Sequence, residues 1–170
     1  MRHGKTGMIW HPDSDLGLNE TGTKQACKFA QKFSTKNPTQ IICSPLKRAR
    51  ESALPLSAVW KTNIIYDSRI GEVPFPRDCQ KSATEWLSDT LKSKWSKSNK
   101  AIKSWKNNAY RLVHSISEDT IIFTHFLTIS AVVSTIKKSD IVNSTNVGNL
   151  EIVKLLKTNQ SIEIKDSSVD

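Results

Sequence analysis

Gln40-Ile-Ile-Cys-Ser-Pro-Leu-Lys-Arg-Ala-Arg-Glu-Ser-Ala53 is a short apolar run, a turn signal and a helical stretch in immediate succession. The run over 40–44 has no polar alternation, so it reads as a strand covered on both faces. Ser44 reads as the N-cap and Pro45 as the first residue of a helix over 46–53. Pro55 is expected to break or kink that helix, because it lacks an N–H and its ring crowds the carbonyl one turn back. A buried strand feeding a helix is the repeating unit of a parallel sheet.

The same grammar extends outward. Ala26, Phe29, Ala30 and Phe33 recur at helical spacing over 23–33. Residues 63–66 form a second short strand. Two amphipathic helices follow, over 81–92 and 97–117. Thr120-Ile-Ile-Phe-Thr124 is a third apolar strand, with a helix over 127–137 behind it. Segments 150–156 and 161–164 close the chain as a hairpin around Asn159. Strands separated by helices of this length predict a three-layer α/β/α sandwich with a mainly parallel sheet. We read residues 1–164 as one domain and 165–170 as a fraying tail.

The 170 residues, 37% hydrophobic, suffice for one core. No apolar run reaches membrane-spanning length, and Met1 is followed at once by Arg2 and His3 rather than by a leader's apolar stretch. A cytoplasmic protein is therefore expected. Cys27, Cys43 and Cys79 form neither an even disulfide set nor a metal-ligand spacing, and are read as reduced packing residues. The net charge of +9 reads as a lysine-rich solvated surface, with nucleic-acid binding the less favoured alternative. Between Lys92 and Lys106 the spacing turns Trp95 and Trp105 inward and the lysines outward. Trp10 and Trp86 are likewise read as packing residues rather than stackers of substrate.

In sheets of this kind the chemistry lies beyond the carboxyl ends of the strands. Arg48 sits in the first turn of a helix just after a strand, where free N–H groups also favour an anion. Thr124-His125 ends another strand. Glu72 lies in Gly71-Glu72-Val73-Pro74-Phe75-Pro76, which cannot be helical. The chain opens on Arg2-His3-Gly4. Phosphoryl transfer needs a nucleophile, positive donors around the equatorial oxygens and an acid for the leaving group. Neutral His3 suits the first role. Arg2 and Arg48 supply planar forks. His125, if protonated, adds a donor, and Glu72 is placed to protonate the departing oxygen. No metal and no cofactor is called for. Arg50 and His114 read as structural or solvated, and His11 as a loop residue near the entrance.

These residues carry a resemblance. The chain resembles the histidine phosphatase (phosphoglycerate-mutase-like, RHG-motif) superfamily, and within it a small-phosphatase branch. The likeness rests on Arg2-His3-Gly4-Lys5-Thr6, on Gly17-Leu18-Asn19-Glu20-Thr21-Gly22 with Gln25-Ala26, on Ser44 to Ala53, on Glu72 and on Thr124-His125. It implies that His3 accepts the phosphoryl group. It makes Arg2, Arg48 and His125 the phosphate pocket and Glu72 the proton donor, acting on a small phosphorylated substrate.

Three departures are visible. Phe126 follows the second histidine where the family has Gly, which reshapes the mouth. Gly7-Met8-Ile9-Trp10 lacks the family's Asn donor. The family's motif ends a buried first strand that does not precede Met1 here, so the first strand is expected to be truncated. Two other readings remain open: a phosphoglycerate-type mutase, and an inactive fragment that binds phosphate or nucleic acid through its basic surface.

Overall fold

The computed structural model describes residues 1–7, 14–158 and 161–165. Three strands form the parallel sheet: β1 (Gln40–Cys43), β2 (Ile64–Tyr66) and β3 (Thr120–Phe123), in the order β2-β1-β3. Ile41 is aligned with Ile64 on one side and Ile121 on the other. Met1–His3 lie along the far side of β3. The Thr124 N–H donates to the Met1 carbonyl, the His3 N–H donates to the Thr124 carbonyl (2.9 Å each), and Arg2 bridges Thr124 in parallel. The motif histidine thus stands where the end of a first strand was expected.

Period-two alternation assigns the faces. Ile41, Cys43 and Phe123 point to one side, where Phe29 and Ala30 of α1 (Glu20–Lys32) meet Ala49, Ala53, Leu56 and Trp60 of α2 (Lys47–Trp60). Ile42 and Ile122 point to the other side, toward Ile70 and Leu112 of α4 (Lys100–Ser115). Trp86 of α3 (Ala83–Leu91) and Trp95 pack with Ile102 of α4 and with Leu127 and Ala131 of α5 (Phe126–Ile136). The expected three layers are present. The strands β4 (Lys154–Lys157) and β5 (Ile162–Lys165) pair antiparallel as the expected hairpin, and Lys165 is opposite Lys154 rather than in the tail. Asn159 and residues 166–170 lie outside the described residues. Among the described residues no helix is long and apolar enough to cross a membrane.

Three local expectations change. First, α2 does not end before Pro55; it runs through to Trp60 and closes on Lys61 in the left-handed conformation (φ 52°). An interior proline costs about 3 kcal/mol. Leu56 and Trp60 beyond it are buried against α1 and the sheet, and burial of two such side chains is worth roughly as much. Second, the residue before α2 is Leu46, with no side-chain cap, so Ser44 is not the N-cap. Third, Lys106 does not point outward. Its ammonium reaches the Ala131 carbonyl and the hydroxyls of Ser134 and Thr135, and it stands over the Trp95 ring. The buried polar groups of α5 outbid solvent for it, and burial lowers its pKa to about 8.

Candidate active site

The four blocks of sequence converge at the carboxyl ends of β1 and β3. The loop that carries His3 is held by the second block. Asn19 caps α1 by accepting from the Gly22 N–H (2.8 Å), while its amide donates to the Thr6 carbonyl (3.1 Å) and its backbone N–H to the Lys5 carbonyl (3.0 Å). Gln25 accepts from the Lys5 N–H. Gly4 and Gly22 allow this approach: a Cβ on Gly22 would overlap the Lys5 carbonyl oxygen, and one on Gly4 would stand 2.9 Å from the Gly22 carbonyl.

His3 is buried. Its Nδ1 is 2.7 Å from the Gly4 carbonyl. A carbonyl only accepts, so Nδ1 carries the proton and the Nε2 lone pair is free. Burial, and then the Arg48 and Arg2 charges, lower its pKa to about 4 against the pull of the Gly4 carbonyl. At neutral pH it is an uncharged imidazole with an available nitrogen.

Glu72 enters from the turn after Ser68–Ile70, which is pinned from three sides. Thr124 donates to the Ile70 carbonyl (2.7 Å). Thr128 (2.8 Å) and the Trp105 indole (3.1 Å) donate to the Gly71 carbonyl. Its carboxylate is 3.4 Å from Arg48 and 3.5 Å from Nδ1 of His125. Burial raises its pKa and outweighs the opposing Arg48 charge, the Val73 N–H and Arg2.

His125 is fully buried, its ring 5.2 Å from that of His3. Burial first, then Arg48, His3 and Arg2, hold its pKa well below the usual value. It is therefore neutral at neutral pH, and the protonated form that the sequence reading considered is disfavoured. Its Nε2 meets Ser44 Oγ at 2.8 Å, and Nδ1 is buried without a hydrogen-bond partner.

Arg48 is buried in the first turn of α2. Arg2 donates to the Val147 carbonyl (3.2 Å) and stacks on Phe126, 5.4 Å from its centroid. All five expected site residues, Arg2, His3, Arg48, Glu72 and His125, are brought together. All but His125, at its back, line a cavity of about 420 Å³. The ligand atoms of His3, Glu72 and His125 lie within 4.8 Å of one another, close enough to hold an ion. Two guanidinium groups beside them favour an anion instead.

The sequence matches the histidine phosphatase superfamily (branch 1) over residues 1–169. The chain belongs to that superfamily. A probable phosphatase of Schizosaccharomyces pombe is 38% identical over 77 residues, which is 42% of this chain and 37% of the relative's length. The chain thus matches little more than a third of that curated relative. Among solved structures, Bacillus stearothermophilus YhfR aligns with a TM-score of 0.83 at 17% identity, over 99% of this chain and 95% of that one. The phosphoserine phosphatase of Entamoeba histolytica in complex with 3-phosphoglyceric acid aligns at 0.75 and 17%, over 97% and 92%. A mycobacterial glucosyl-3-phosphoglycerate phosphatase in complex with VO3 aligns at 0.73 and 20%, over 96% and 93%. These likenesses show the fold of a histidine phosphatase.

The candidate site is also supported by residues that the sequence reading missed. Ser44, expected as a cap, contacts His125 and accepts from the Leu46 N–H (3.3 Å). Ser52 is buried, accepts from the Gly4 N–H (2.9 Å) and donates to the Arg48 carbonyl (2.7 Å), so it ties the two arginine-bearing blocks together. The Asn149 amide donates to the His3 carbonyl (2.8 Å). Nothing in their own sequence contexts marks these three; each has a partner distant in the chain, His125, Gly4 and His3 respectively. The remaining candidates lie apart. Arg50 is exposed, and His114 is at the far end of α4, its carbonyl taken by Lys157. Cys43 is buried and its thiol pushed up to about 12, which suits packing and not nucleophilic attack. Cys27 and Cys79 are also free thiols. The absent Asn donor near Ile9, with Trp10 and His11, lies outside the described residues.

Proposed function

We propose that the chain hydrolyses small phosphate monoesters through a phosphohistidine at His3, with no metal in the reaction. The observation that carries this is the state of His3: neutral, its Nδ1–H donated to the Gly4 carbonyl, its other nitrogen free, and the ring within the field of Arg48 and Arg2 and close to the Glu72 carboxyl. The structural neighbours, a glucosyl-3-phosphoglycerate phosphatase and a phosphoserine phosphatase in complex with 3-phosphoglyceric acid, support a small phosphorylated substrate.

His3 Nε2 attacks phosphorus, the N–P bond forms, and the bond to the ester oxygen breaks. Arg2, Arg48 and the His125 N–H hold the equatorial oxygens. Glu72, whose pKa burial raises, takes up a proton and gives it to the departing oxygen. Water then attacks phosphorus, Glu72 takes its proton, the N–P bond breaks, and His3 returns to its starting form. The Ser44 hydroxyl, already accepting from Leu46, is free to donate to Nε2 of His125. That choice places the remaining N–H of His125 on Nδ1, toward Glu72 and the phosphate.

The test is hydrolysis of p-nitrophenyl phosphate in the presence of a chelator, with acid quench and phosphorus NMR to detect the N–P species. His3→Ala should abolish both turnover and that signal. Full activity in His3→Ala would exclude the mechanism. The expected cytoplasmic setting is tested separately, by locating the tagged chain in fractionated cells.

A further inference from the structure

Beyond the phosphate end, the cavity changes character abruptly. Glu72 is followed by Val73, and His125 by Phe126 and Leu127, so apolar side chains begin directly past the proton donor and past the second histidine. Leu87 and Leu91, one turn apart on α3, form the facing wall, and Leu16 closes the set. Among the described lining residues the only cations are Arg2 and Arg48: Arg48 stands beside Glu72, and Arg2 covers one face of Phe126 and donates to the Val147 carbonyl. A second anionic group placed against Val73, Leu87, Leu91 and Leu127 would leave water for side chains that offer it no donor, which is costly. An alkyl or aryl group would bury apolar surface on the same wall.

We infer that the substrates of this site are monoesters of apolar alcohols, alkyl or aryl, that carry no second phosphate or carboxylate. This rests on the phosphate-end assignment made above and adds the class of leaving group. It also separates the chain from a phosphoglycerate-type mutase, whose substrates bear two anionic groups. Phe126 acts twice: it narrows the mouth where the family has Gly, and it offers a ring face to the ester group while the other is covered by Arg2.

Non-hydrolysable alkylphosphonates read the pocket without requiring turnover. Calorimetric titration of the whole chain with ethyl-, butyl- and hexylphosphonate should show affinity rising about fourfold per methylene. The 2-carboxyethyl compound should bind at least about tenfold more weakly than propylphosphonate, which lacks the charge. In the Leu87→Ala/Leu91→Ala variant the dependence on chain length should flatten. A flat series in the unaltered chain, or equal or tighter binding of the carboxylated compound, would overturn the inference. Neither result bears on phosphohistidine formation, which is read separately by the quench experiment.

Discussion

Replacing His3 by Gln tests the electrostatic state of the nucleophile without measuring any reaction. In the unfolded chain a histidine titrates near 6.5; in the fold His3 titrates near 4, chiefly because it is buried. Between those values the unfolded state binds the proton and the folded state does not, so stability rises with pH across that window and is lost as pH falls from about 6.5 toward 4. Between pH 7.5 and pH 4.5 the shift is worth about 2.5 kcal/mol, most of a full shift of about 3.4 kcal/mol at 1.36 kcal/mol per unit. The assay is urea unfolding followed by tryptophan fluorescence at pH 7.5, 6.5, 5.5 and 4.5, for the parent chain and His3→Gln. The carboxylates, and His125 with its own depressed pKa, titrate in both proteins and cancel in the difference to first order. The parent should lose about 2.5 kcal/mol more than the variant between the extremes. Parallel curves would show that His3 is not held neutral by burial, and would remove the main support for its role as nucleophile.

Three further outcomes follow from the same geometry. Glu72→Gln should lower kcat by a factor on the order of 10²–10⁴ with alkyl phosphates, and far less with p-nitrophenyl phosphate, whose leaving group needs no proton; equal losses would deny Glu72 the role of acid. Ser44→Ala leaves Nε2 of His125 and the Leu46 N–H without their partner, so unfolding stability should fall by about 1–3 kcal/mol. The same variant should show a higher KM, and unchanged stability would show that the contact contributes nothing. Gly22→Ala would drive a methyl into the Lys5 carbonyl; a thermal melt should show destabilisation of about 1–3 kcal/mol, with activity reduced because the loop bearing His3 must shift.

The layers of this fold were legible because their causes are local. Uninterrupted apolar runs such as Ile41-Ile42-Cys43 and Ile121-Ile122-Phe123 can be satisfied only by cover on both faces, and the helical spacing of Ala26, Phe29 and Ala30 supplies part of that cover. The polar end of the site was legible as well, because Arg2, His3, Arg48, Glu72 and His125 each lie at a point where the chain leaves a strand or a turn. Pro55 and Lys106 were misread for a common reason: an intrinsic preference, helix-breaking in one case and solvation in the other, yields when tertiary partners offer more.

The sequence by itself therefore determined the element order, the buried faces and which side chains meet at the candidate site. Only the tertiary structure decided their chemical states and their supports. The proton position on His3 depends on the Gly4 carbonyl, the low pKa of His125 on full burial beside Arg48 and His3, and the raised pKa of Glu72 on desolvation outweighing Arg48. Ser44, Ser52 and Asn149 likewise act on partners from 48 to 146 residues away. Charge state and long-range hydrogen bonding are set by what packs around a group in space, and no spacing along the chain encodes that directly.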